Sequence, residues 1–177
     1  AAQDAAKYSI HAVQMIRAYR TVGHLEANLD PLGITHTTPE PTLDPASYGF
    51  AGAELDQPVY VDGALGLDST TPRQLIEALR AIYCGPIGYE FMHINDAEQK
   101  LWLQRRIEGE DGQIGFTPEG KKAILNKLIE AEGFEKFCSH RFVGTKRFGL
   151  DGGESTIPAL EQIIKRGGQL GVNQIVL

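Results

Sequence analysis

Five of the chain's nine prolines fall between Asp30 and Gln57 and at Pro58 itself: Pro31, Pro39, Pro41, Pro45 and Pro58. Each lacks a backbone donor and holds φ near about −65°, so no α-helix can run through this stretch. The patterning on both sides is helical. The sequence therefore predicts a helix, then an extended segment over 30–58 wrapping across a surface, then further helices.

Ahead of the prolines, residues 4–22 carry Tyr8, Val13, Ile16 and Tyr19 at helical spacing, with Arg17 and Arg20 at basic positions and Gly23 as a stop. After them, Val59-Tyr60-Val61 is at most a very short strand, closed by Asp62-Gly63. Thr71-Pro72 is an N-cap followed by proline at the first helical position. Leu75, Ile76, Leu79 and Ile82 then form one apolar stripe, and Gly85-Pro86 ends the helix. A third helix is expected over 96–108, burying Leu101 and the single tryptophan, Trp102. Thr117-Pro118 repeats the cap signal, with Ala123, Ile124, Leu128 and Ile129 as the inner face of a helix that Gly133 bends or breaks. Ser155 is placed to cap a last helix carrying Ile157, Leu160, Ile163 and Ile164 and ending at Gly167-Gly168.

The run Ile175-Val176-Leu177 reads as a strand buried on both faces, and such a strand needs parallel neighbours joined by crossover helices. None follows in the sequence, and Ala1 is not an initiator Met, so the chain is expected to be a piece of a longer protein. The expected fold is mainly α. A helical region with its proline-rich extended segment spans 1–144, and 145–177 supplies the first helix and strand of an α/β domain.

Charge and cysteine usage narrow the function classes. A net charge of −6 argues against nucleic acid, and the basic pairs Arg105-Arg106 and Lys121-Lys122 lie among Glu108, Glu110, Asp111 and Glu119, as solvated helix faces do. No run reaches the roughly 18 apolar residues of a membrane span, and the N-terminus has no secretory pattern. Cys84 and Cys138 are far apart in apolar settings, which favours buried reduced thiols and a reducing compartment. No metal-ligand spacing occurs, and the histidines at 11, 24, 36, 93 and 140 read as core or capping groups. Ser139-His140 has no acidic third member nearby. Gly149-Leu150-Asp151-Gly152-Gly153 precedes a helix start, where amides can hold an anion, but a turn needing positive φ is the preferred reading. Glu154 is read as a helix-start carboxylate in preference to an acid or base.

Three longer segments carry a resemblance. Residues 18–33, AYRTVGHLEANLDPLG, are similar to the N-terminal signature of the thiamin-dependent, decarboxylating component of 2-oxoglutarate dehydrogenase complexes. Residues 83–94, YCGPIGYEFMHI, resemble that family's second block in its bacterial form, and residues 146–155, KRFGLDGGES, the block leading into its cofactor domain. All three stand in the family's order.

The resemblance implies an enzyme using thiamin diphosphate and Mg to decarboxylate 2-oxoglutarate oxidatively, passing succinyl to a lipoyl group in the citric acid cycle. It implies a homodimer partnered with the lipoyl-bearing succinyltransferase core, cytoplasmic in bacteria and in the mitochondrial matrix of eukaryotes. The active-site histidine, the glutamate that activates the thiamin ring and the metal–diphosphate motif all belong to parts outside residues 1–177, so no catalytic, cofactor or metal residue is expected here, and the chain alone is expected to be inactive. Two substrate-site candidates carry over. Phe148 matches a phenylalanine near the 2-oxo acid pocket, the other reading being a core phenylalanine at a domain junction. Arg147 beside it could pair with a substrate carboxylate or form a structural ion pair. The alternative function is a non-catalytic helical scaffold or docking module of the complex.

Overall fold

A computed structural model of the chain describes residues 2–35, 38–109 and 115–176. His36, Glu110, Asp111 and Leu177, which entered the sequence reading, lie outside the described residues. The chain divides into two compact units, Ala1–Ile114 and Gly115–Leu177. As expected, it is mainly helical. The long helices are α1 (Ala2–Val22), α2 (Pro72–Tyr83), α3 (Ala97–Glu108), α4 (Pro118–Arg141) and α5 (Thr156–Gln169), and the one described sheet pairs β1 (Val59–Tyr60) with β2 (Ser69–Thr70) antiparallel.

The first unit is built on α1. Ala12, Met15, Ile16 and Tyr19 recur at steps of three and one and are all buried, forming the inward stripe of an amphipathic helix. Val13, expected on that stripe, sits half-exposed beside it. Against α1 pack Leu75, Leu79 and Tyr83 of α2, Val59 and Val61 around β1, and Phe91 beyond α2. Ile76 and Ile82 lie at the margin of this core. Thr71 and Gln74 form a reciprocal capping box at the start of α2, which satisfies two otherwise orphaned amides.

The proline-rich segment departs from the extended form predicted for it. It folds into short 3-10 turns at Pro41–Leu43, Pro45–Tyr48 and Gly52–Asp56. Proline forbids the helix interior but suits the first position of a turn, where its missing N–H costs nothing. Glu40 and Asp44 carboxylates accept the amides of Thr42 and Ala46 at 3.1 and 3.0 Å, starting two of these turns. The turns swing Leu43 and Phe50 into the core, so the segment is part of the interior and not only a wrapping.

The third helix is also rotated from its predicted phase. Leu101 and Trp102 are exposed, and Leu103 and Ile107 pack against the core instead. Trp102 stacks with the Arg106 guanidinium, 5.8 Å from the ring centroid. The phase of α3 is set at its end, where Glu108 points inward between α1 and α2.

The second unit contains α4 and α5. Gly133 does not break α4, which runs on to Arg141. A helical glycine costs only about 1 kcal/mol relative to alanine, and strong helix formers flank this one. Ile124 and Leu128 are half-buried while Ala123 and Ile129 are exposed, and on α5 Ile157 and Leu160 are half-buried while Ile163 and Ile164 are exposed. The inner faces are thus narrower than predicted. Ser155 has helical backbone and makes no side-chain cap; the α5 start is held by the Thr156 amide on the Gly153 carbonyl. α5 continues through Gly167 and Gly168 to Gln169, and Gly171, just past its cap, has φ +89°. Residues 172–176 form no ladder, and Ile175 and Val176 are exposed, so the buried strand predicted at 175–177 is not formed among the described residues. A strand exists only by pairing, and the described residues place no partner beside this one. No described helix is long and apolar enough to cross a membrane.

Candidate functional site

The sequence singles out Arg147 and Phe148, and both lie on the loop joining α4 to α5. The loop leaves α4 through a turn in which the Thr145 amide bonds the Phe142 carbonyl, with Gly144 at φ +84°. It is pinned twice to the last turns of α4. The Arg147 Nη2 donates to the Ser139 hydroxyl at 2.8 Å, and the Leu150 amide donates to the Glu135 carboxylate at 2.7 Å. Between these pins Phe148 is fully exposed. An open cleft of about 500 Å³ is lined by Glu135, Lys146, Arg147, Asp151 and neighbouring glycine and threonine backbone. Among the described residues Arg147 has no carboxylate partner.

The glycine loop that could hold an anion already holds one, because Glu135 occupies the Leu150 amide. Among the described residues no three His, Cys, Asp or Glu side chains converge on a metal position.

The other chemistry-bearing side chains have local roles. His11 Nδ1 lies 2.7 Å from the Tyr48 carbonyl, and His140 Nδ1 lies 2.7 Å from that of Lys136. His24 Nε2 is 3.9 Å from an exposed Glu90 carboxylate, and its buried Nδ1 makes no hydrogen bond. Ser139 serves Arg147 and not a triad. Both cysteines are free and half-buried; burial pushes the Cys84 thiol up, away from thiolate.

The polar group that sequence patterning does not single out is a partly buried one. Arg20 of α1 forms a two-pronged ion pair with Glu108 of α3 at 2.6 and 2.8 Å, and the Tyr83 hydroxyl of α2 donates to the same carboxylate at 2.7 Å. Burial, then the hydrogen bond to Glu108, pushes the Tyr83 hydroxyl far above the ordinary tyrosine value of 10.0. The folded chain therefore keeps this proton at pH values where the unfolded chain has released it. Above about pH 10 the group removes stability at about 1.4 kcal/mol per pH unit, and below that pH its contribution is constant. Urea midpoints measured between pH 8 and pH 11 should fall steeply in the parent and less steeply in Tyr83→Phe; parallel curves would refute the assignment.

The loop carrying Arg147 and Phe148 is continuous with a chain whose relatives are named enzymes. The chain is 56% identical over 175 residues, 98% of its length, to the 2-oxoglutarate dehydrogenase E1 component of Brucella canis. It is homologous to a segment of that protein. The same identity and coverage hold for the E1 components of Brucella suis and Brucella abortus. The chain spans 17% of the length of these curated relatives. No protein-family model matches it.

Proposed function

We propose that this chain is an N-terminal segment of a 2-oxoglutarate dehydrogenase E1 subunit, and that Arg147 and Phe148 form part of its substrate pocket. The observation that carries this reading is the 56% identity over 98% of the chain. The full subunit decarboxylates 2-oxoglutarate oxidatively and delivers succinyl to the lipoyl arm of a succinyltransferase core, acting as a homodimer in the bacterial cytoplasm. Thiamin diphosphate, held with Mg by residues elsewhere in the subunit, supplies the electron sink. Residues from 145 onward open the α/β domain that binds it, and the strand at 175–177 forms when its parallel neighbours are present. Residues 1–144 serve as a helical scaffold; for the part up to residue 114 this is favoured by the core, since among the described residues the buried hydrophobic side chains all lie between Ala12 and Phe91. Neither nucleic acid nor membrane is a partner.

Within the pocket, the exposed Phe148 ring excludes water from the reacting centre and shapes the acid that can enter. The Arg147 guanidinium pairs with the distal carboxylate that distinguishes a dicarboxylic 2-oxo acid. In the full-length subunit, Phe148→Ala should change the ratio of kcat/KM values among 2-oxo acids by about tenfold or more. A loss of thermal stability with that ratio unchanged would make Phe148 a packing residue. The isolated chain, given thiamin diphosphate and magnesium, should release no carbon dioxide from 2-oxoglutarate; measurable turnover would overturn the assignment of the cofactor residues to other parts of the subunit.

A further inference from the structure

We infer that Glu135 and Ser139 are the positioning residues of this pocket, acting as paired latches that aim Arg147 and hold Phe148 outward. The inference rests on the pocket role proposed for Arg147 and Phe148 and names what sets their geometry.

Glu135 and Ser139 are four residues apart on α4 and so share one face of a rigid helix. Their partners, the Leu150 amide and the Arg147 guanidinium, straddle Phe148. Fixing the chain on both sides leaves Phe148 as the free member of a short bracket. Phe134 and Phe137 are also exposed on α4, and a mobile loop would gain by laying the Phe148 ring on such apolar surface. The ring is nevertheless fully exposed, between the side-chain tether at Arg147 and the backbone tether at Leu150.

The chemistry of each latch suits its task. Ser139 is neutral, so it orients the guanidinium without neutralising it and leaves the remaining N–H donors for a carboxylate. Glu135, by contrast, holds a backbone amide, where a charged acceptor gives the stronger bond. A β-carbon at Gly149 would lie 3.1 Å from Glu135 Oε2 and 3.2 Å from Asp151 Oδ2, so both carboxylates would have to give by a few tenths of an ångström. Gly149→Ala therefore pushes on the latch itself.

The test uses the full-length subunit and two substrates, a dicarboxylic and a monocarboxylic 2-oxo acid. Ser139→Ala should raise KM for the dicarboxylic acid about fivefold, the worth of one hydrogen bond, while kcat, KM for the monocarboxylic acid and the melting temperature hold. Ser139→Asp, which neutralises Arg147, should raise the same KM more, and Ser139→Thr, which keeps the hydroxyl, should restore it. An equal change for both acids, or no change for either, would overturn the latch. Arg147→Ala separates the two levels: if it abolishes the preference for the dicarboxylic acid and Ser139→Ala leaves that preference unchanged, only the latch fails. If Arg147→Ala leaves the preference intact, the pocket reading fails and the latch with it.

Discussion

Glu108→Ala should destabilise the first unit by about 3–5 kcal/mol, the usual cost of removing one partner from a buried ion pair. Glu108 is 6% exposed and Arg20 17% exposed, so the guanidinium left behind would remain largely out of water with nothing to neutralise it. The same substitution removes the acceptor of the Tyr83 hydroxyl, which is itself buried. One carboxylate thus joins α1, α2 and α3, and its loss orphans two donors at once. The exposed pair Arg73–Asp56, two-pronged at 2.8 and 2.9 Å, is the internal control. Both of its side chains are about half exposed, and Asp56→Ala should cost far less than Glu108→Ala because solvent screens the pair. Urea denaturation of the two variants measures the contrast. Equal losses would mean that the buried carboxylate is no more than a surface one in its effect.

That carboxylate also marks the limit of what the sequence discloses. The spacing of Leu75 and Leu79, and the Thr71-Pro72 cap, are local signals, and α2 follows from them. Glu108 and Arg20 are 88 positions apart, and each reads alone as an ordinary charge on a polar helix face. Local spacing places Leu101 and Trp102 inward on α3, whereas Glu108 faces Arg20 and the core takes Leu103 and Ile107. The proline segment failed for another reason. Proline says which structure is forbidden, whereas the turns actually formed depend on Glu40 and Asp44 as caps and on the core space that Leu43 and Phe50 fill. In the second unit, the i, i+4 relation of Glu135 and Ser139 is present in the sequence. Its connection to Arg147 and Leu150 depends on the loop folding back on α4, which no period announces. Arg147 and Phe148 stand out only through the resemblance carried by residues 146–155, and the structure adds the Arg147–Ser139 hydrogen bond and the exposure of Phe148.

Gly23→Ala should be the second severe change, at about 3 kcal/mol, the upper end of the range for overpacking a core. A β-carbon at Gly23 would fall 2.7 Å from the Tyr83 β-carbon. That neighbour is fixed to the α2 backbone, so no rotamer change relieves the contact and α2 itself must move from the end of α1. Movement there carries further losses. The Gly23 carbonyl accepts the Cys84 thiol at 3.8 Å, and the Asn28 amide reaches the Gly85 carbonyl at 2.9 Å, so the chain reversal after α1 is fastened to the end of α2. Displacing Tyr83 also draws its hydroxyl away from Glu108. The cost of Gly23→Ala should therefore be smaller in a Tyr83→Phe background, where that hydrogen bond is already gone but the β-carbon clash persists. A double-mutant cycle in urea reads the difference. Strict additivity would confine the damage to the steric contact, and a cost below about 1 kcal/mol would show that α1 and α2 are not held as closely as the Gly23–Tyr83 approach requires.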